Sequence, residues 1–237
     1  MIVGTRHRCR SCTASIRVVR DRLTTLAFLL PPSRLKNRLL NLLGHDVHPS
    51  AVIGICLVHG VARFELAEGV RIGHFNHFAG LSLVKVGAQS RIVMYNSIHG
   101  GSGLEPGAEP TPEQMSLLMG TQAHIISSHY LDCGGGLVLA DRSWITGIRS
   151  TILTHAFDPQ EGGVLLQPVR LEEGAVISTS CTMLPGTVVG EGAVLAAGST
   201  TWTGQQLQSG HLHGGTPARR ISPIEIPAQA YERRGLG

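Results

Sequence analysis

The stretch from Val169 to Thr203 repeats every six residues, and that period decides most of what the chain can become. Leu171, Ile177, Met183, Val189, Leu195 and Thr201 follow one another at intervals of six. Two residues before each stands a small or β-branched one: Val169, Ala175, Cys181, Thr187, Ala193 and Ser199. Gly174, Gly186, Gly192, Gly198 and Gly204 fall on the same period. Earlier segments repeat it in shorter registers, as in Ile72, Phe78 and Val84, then Val86, Ile92 and Ile98.

A spacing of six matches neither the 3.6 of a helix nor the alternation of a strand. It suits a prism of short strands and corners, three sides to a turn. The large aliphatic points inward, the small residue fits the crowded corner, and glycine or a small polar residue makes the turn. The expected fold is all-β, a left-handed parallel β-helix of hexapeptide repeats with a helical N-terminal segment. Five Phe, three Tyr and two Trp beside 30 Gly suit so narrow an interior. An apolar share of 42% with 15% charged residues excludes disorder for most of the 237 residues. Five cysteines, sparse and odd in number, exclude a disulfide scaffold.

Residues 1–45 have a different texture. They carry nine bases against one acid, Asp21, a net +8, whereas the remainder carries −4. Ile16, Val19, Leu23 and Leu26 recur at helical spacing, as do Leu35, Leu39 and Leu42 beyond Pro31 and Pro32. Ser33 is the expected N-cap of the second helix and Gly44 its stop signal. The chain thus divides into a basic helical arm (1–45), a β-helix (46–221) and a tail (222–237). The arm is expected to cap the first coil, with contact to a membrane surface as the secondary expectation. No apolar stretch approaches the roughly 20 residues that span a bilayer. No small-residue cleavage site follows Leu26–Leu30, so a cytoplasmic protein is expected, membrane-associated if the arm binds lipid. A nucleic-acid partner is not expected. Cys9 and Cys12 form a C-x-x-C pair without a second pair, and no metal is expected. Two segments, about 99–122 and 156–168, break the period; loops leaving a rigid repeat are common places for substrate contact.

Three blocks carry a family resemblance: I-L-T-H at Ile152–His155, the run Pro168–Ser199, and G-G-T-P-A-R-R-I at Gly214–Ile221. On these the chain resembles the hexapeptide-repeat acyltransferases, closest to the O-acetyltransferases of sugars and surface polysaccharides in the galactoside, maltose and colanic-acid group. The resemblance implies a homotrimer, with acetyl-CoA or a related acyl-CoA as co-substrate between neighbouring subunits, a carbohydrate acceptor, and a histidine as general base. His155 is the matching position, and an imidazole titrating near neutral pH suits proton removal from a sugar hydroxyl. The resemblance places Thr179 and Ala197 beside the pantetheine arm and Thr203 with the donor. It places Arg219, with Arg220 as second choice, on the CoA phosphates. Asp132 is expected either to hold acceptor hydroxyls, with His129 joining it, or to be an ordinary solvated carboxylate. Trp144 is expected either to stack on a sugar ring or to fill a corner between subunits. There are departures from the pattern. Many relatives carry a lysine after Gly-Ser where this chain runs Gly198 to Gly204 without one, and Val176–Ser178 replaces their W-I-G.

Two other functions compete. A γ-type carbonic anhydrase would use histidine ligands, and His124 and His129 have the five-residue spacing of two of them; His74 and His77 fit poorly as a third. A non-catalytic scaffold would use the β-helix for assembly and the basic arm for docking.

Overall fold

Each inward residue of the six-residue period lands on the next side of a three-sided coil. Leu171 lies in one sheet, Ile177 in a second, Met183 in a third, and Val189 returns to the first. The computed structural model describes residues 10–101, 110–160, 162–227 and 229–232. Its first face is an eight-stranded sheet running from Asp46–Val47 to Gln206–Leu207. The second face begins at Val52–Ile53 and reaches His211–Gly214, and the third runs from Leu57–His59 to Thr182–Met183. Pairing between successive coils is parallel throughout. This is the left-handed parallel β-helix of hexapeptide repeats expected from the period.

The core is a set of side-chain ladders, because parallel pairing stacks equivalent positions of successive coils. Ile53, Ile72, Ile92, Ile125, Ile145, Ile177 and Leu195 form the inner ladder of the second face, all buried. Val58, Phe78, Ile98, Leu131, Ile152 and Met183 do the same for the third. The small residues at 169, 175, 181, 187, 193 and 199 are buried at the corners, as the spacing requires. Corner turns take left-handed backbone: Gly174 has φ 66° and Gly186 74°. Phe75, Gln89, Tyr95 and Arg142 adopt the same conformation without being glycine.

Helix α1, Arg10–Phe28, and helix α2, Arg34–Leu42, lie over the first coil. Ser33 caps α2, its hydroxyl accepting from the Lys36 amide. The Thr25 hydroxyl donates to the Val58 carbonyl at the edge of the third face. Buried Lys36 donates to the carbonyls of Phe28, Leu30, Ile53 and Gly54 at 2.7–3.2 Å, tying both helices to the first coil. His45 is buried between the helices and the coil: Nε2 meets the Thr24 hydroxyl and Nδ1 accepts from Phe64 N. The side chains of Cys9 and Cys12 lie outside the described residues.

Two boundaries differ from the sequence expectation. The break expected over 99–122 closes earlier, since Ser116–Met119 rejoins the first face with Leu117 opposite Val84. Leu117 and Met119 alternate inward like any coil strand, a pattern that the prolines of the loop obscured. The coils also end before residue 221. Arg219–Pro223 turns back and pairs antiparallel with His211–Gly214, closing the second face. No helix among the described residues is long and apolar enough to cross a membrane.

Candidate functional site

At the corner between the third and first faces the chain leaves the prism as a hairpin, His155–Asp158 against Gly163–Leu166. His155 is its first residue, and its ring is one-third exposed. On the preceding coil, Tyr130–Asp132 pairs with Thr151–Ile152, which brings the Asp132 carboxylate beneath the hairpin base. Asp132 Oδ2 lies 2.8 Å from His155 Nδ1 and accepts from the Thr154 amide at 2.7 Å and its hydroxyl at 2.8 Å. Oδ1 accepts from Gly134 N at 3.1 Å. The Asp132 side chain is only 2% exposed, so these donors take the place of water.

A carboxylate surrounded by donors selects the histidine tautomer. An ionised Asp132 only accepts, so Nδ1 carries a proton and the neutral ring keeps its lone pair on Nε2. The arrangement can take a proton from an alcohol or amine and return it to a leaving group. It is also rigid, because Thr154 bridges both coils: its hydroxyl accepts from Gly135 N at 2.8 Å.

The run Gly134–Gly136 makes room for this. A Cβ on Gly135 would sit 2.5 Å from the Thr154 carbonyl and 2.7 Å from Gln167 N, both backbone atoms. Gly136 has φ 104°, where side chains are strained. Thr154 entered the sequence analysis only as part of the I-L-T-H block, and the glycines not at all; the available signal was three consecutive glycines two residues beyond an aspartate. Cys133 alongside is not a nucleophile, since burial and Asp132 push its thiol well up.

The other candidates fall in different places. Asp132 is not a solvated loop carboxylate, nor is it open to acceptor hydroxyls; it is buried and engaged with His155. His129 is buried in the corner between the second and third faces and cannot contact an acceptor. There it is one rung of a polar ladder. Asn76 Oδ1 accepts from Asn96 N, Asn96 Oδ1 from His129 N, His129 Nδ1 from Ser150 N, and Ser150 Oγ from Cys181 N. Trp144 stands on the outer side of the second face, edge-on to His124 with centroids 4.9 Å apart. That face lies opposite the His155 corner, so Trp144 does not border His155 within one chain. His124 and His129 therefore point to different places and form no metal half-site. Among the described residues no group of three or more His, Cys, Asp or Glu is arranged to hold a metal.

The residues expected at the donor divide between two edges. Thr179 and Ala197 occupy stacked turns between the second and third faces, where Gly198 N donates to Thr179 O. Thr203 lies on the His155 edge two coils further along, following the stacking of Thr151, Thr182 and Thr200. Arg219 and Arg220 are exposed on the closing strand, and Arg220 also donates to Gln208 Oε1 at 2.9 Å. Both edges flank the third face. Within one chain the two sets therefore lie apart, on opposite edges of that face.

The third face itself carries a row of imidazoles leading to the site. His77 Nε2 is 3.3 Å from His59 Nδ1, His77 meets His99 edge-on at 4.9 Å, and His99 stacks on Tyr130. His99 pairs in register with Asp132. Burial and the neighbouring imidazoles lower the pKa of His77 and His99. In its strands this face shows Leu, Ser, Thr, Tyr, Ala and His outward, with Asp132 as the sole ionic residue.

No family model and no curated protein matches the sequence. Solved structures do resemble it. AntD, an N-acyltransferase from Bacillus cereus crystallised as a mutant with dTDP and coenzyme A, superposes with a TM-score of 0.53 and 19% identity. That match covers 66% of this chain and 81% of AntD. A hexapeptide-repeat acetyltransferase from Vibrio cholerae, complexed with acetyl coenzyme A, gives a TM-score of 0.42 at 16% identity over 92% of each chain. At such identities the AntD likeness is one of fold.

Proposed function

We propose that the chain is a CoA-dependent acyltransferase that moves an acetyl or short acyl group to a hydroxyl of a sugar or surface-polysaccharide precursor. The observation that carries this reading is the His155–Asp132 pair at the mouth of the hairpin: a part-exposed imidazole whose Nδ1 is held by a buried carboxylate. His155 Nε2 takes the hydroxyl proton as the oxygen attacks the thioester carbonyl. Asp132 balances the imidazolium that forms. As the carbon–sulfur bond breaks, His155 returns the proton to the departing sulfur. The same pair serves an amine, the kind of acceptor implied by the name of AntD, and only products distinguish the two.

The donor is assigned to a groove between two copies in a homotrimer. With the third face of each prism turned toward a threefold axis, the edge bearing Thr179 and Ala197 meets the edge bearing His155 and Thr203 of the next copy. The near-absence of ionic residues on the third face suits that burial. Arg219, and then Arg220, offer exposed guanidinium groups to the CoA phosphates. Acyl-CoA is a product of cytoplasmic metabolism, which favours a cytoplasmic site of action.

The test is thioester consumption with acetyl-CoA across hydroxyl and amino-sugar acceptors, with products sorted by alkaline lability into esters and amides. Activity lost in His155→Ala with calorimetric CoA binding retained supports the reading. Full activity in that variant, or no CoA binding by the native protein, overturns it.

A further inference from the structure

Helix α1 is apolar on two opposite sides, and the fold uses only one of them. Thr24, Ala27 and Phe28 are buried against the first coil. Val19, Leu23 and Leu26 point the other way at helical spacing, joined by Val18 and by Leu29 and Leu30 in the turn that follows; all are exposed, Leu26 by 60%. Helix α2 continues the pattern with Leu35 and Leu42, 63% and 83% exposed. Eight large apolar side chains are thus left in water within 25 residues, where packing the β-helix gains nothing from them.

The charges around these side chains have one sign. Arg22, Arg34 and Arg38 are exposed beside them. The sole acid in residues 1–45, Asp21, accepts a hydrogen bond from Gly60 N on the first coil. Arg6, Arg8, Arg10 and Arg17 add positive charge in the preceding sequence. A second copy packed on this face would bring arginines against arginines with no carboxylate between them. A surface that is apolar below and anionic above satisfies both the leucines and the arginines.

We infer that α1 and α2 form a docking face for an anionic lipid surface, held by Val19, Leu23, Leu26, Leu29, Leu30, Leu35 and Leu42 in the acyl–headgroup boundary and by Arg22, Arg34 and Arg38 among the headgroups. The face lies at the end of the prism where the coils begin. His155 follows the fifth strand of the third face, about 19 Å away at about 4.8 Å per coil. Docking therefore leaves the His155 edge and the hairpin open. It is independent of acyl transfer.

The experiment is co-sedimentation of the full chain with vesicles of phosphatidylcholine alone and of phosphatidylcholine mixed with phosphatidylglycerol, at low and high salt. Binding to the anionic vesicles is expected, weakened about tenfold or more by salt or by removing the phosphatidylglycerol. Leu23→Ser, Leu26→Ser and Leu30→Ser combined, which spare the buried side of α1, abolish binding while circular dichroism and the thermal midpoint stay unchanged. Arg22→Ala, Arg34→Ala and Arg38→Ala combined reduce binding to the level of neutral vesicles. Native protein that ignores anionic vesicles overturns the inference, as does a leucine variant that still pellets. A leucine variant whose sedimentation coefficient falls without lipid also overturns it, assigning the face to a protein contact.

Discussion

Asp132 holds the Nδ1 of His155 at 2.8 Å from the coil before it, so a buried carboxylate and a part-exposed imidazole form one unit across 23 residues of sequence. Parallel stacking makes the pair possible. Tyr130–Asp132 and Thr151–Ile152 are neighbouring strands of the third face, and each continues into the same corner.

If Asp132 sets the tautomer, Asp132→Asn preserves shape and removes function. The amide presents an N–H where His155 Nδ1 and the Thr154 donors need an acceptor. A fall in kcat of about 10²-fold or more is expected, with a stability loss of about 2 kcal/mol from unpaired buried groups. Steady-state kinetics and urea denaturation measure the two. A fully active Asn variant would remove Asp132 from the mechanism.

Gly135→Ala tests the floor of the site. Its Cβ would lie 2.5 Å from Thr154 O, and backbone on both sides leaves little room to give. A loss of about 1–3 kcal/mol is expected, accompanied by reduced activity, because Thr154 precedes His155 directly. Unchanged kinetics would mean that the hairpin base tolerates displacement.

Arg219→Ala should act on the donor alone. The side chain is exposed, so folding is spared. The KM for acyl-CoA should rise about tenfold, as expected for one lost charge-assisted contact, while dephospho-CoA or a short pantetheine thioester shows a smaller change. Equal effects on both donors would place Arg219 away from the phosphates.

Lys36→Met cuts the tie between helices and coil. Burial draws the Lys36 ammonium down to about 8, so it stays protonated at neutral pH. The substitution removes a donor from four carbonyls of the first coil and helices, of which Phe28 O keeps the Cys56 amide. A loss of about 3 kcal/mol is expected. Hydrogen exchange should show it concentrated in 18–57, with the later coils unaffected.

Acid should weaken the fold through its buried histidines. Burial lowers the pKa of His45, His124 and His129 to about 4, below the unfolded value near 6.5. Between those values the unfolded chain binds more protons than the folded one, so stability is full above pH about 6.5 and drains as pH falls toward about 4. Unfolding free energies from urea titrations at pH about 7.5 and about 5 should differ by about 2 kcal/mol for each ring, about 6 kcal/mol for the three together. A flat profile would show that these rings are hydrated in the native state.

The β-helix was legible because its rule is local: one aliphatic in six, a small residue two before it, and a turn between. The Ser33 cap and the break at Pro31 and Pro32 were legible for the same reason. The early return of the coil at Ser116 was missed because prolines and glycines in the loop outweigh two inward residues, Leu117 and Met119. His155 was singled out through the resemblance of Ile152–His155 to a family block at the mouth of a loop, whereas the surroundings of Asp132, His129 and Trp144 depend on which side of a coil each faces.

By itself, the sequence determined the prism, its period, the ladder of inward aliphatics and the basic arm, since these follow from spacing and composition. The tertiary structure decided what stacks above what. Loops of unequal length between coils set which residue meets which partner on the next level. That is why Asp132 lies under His155, His129 serves a corner ladder, and the donor residues divide between two edges.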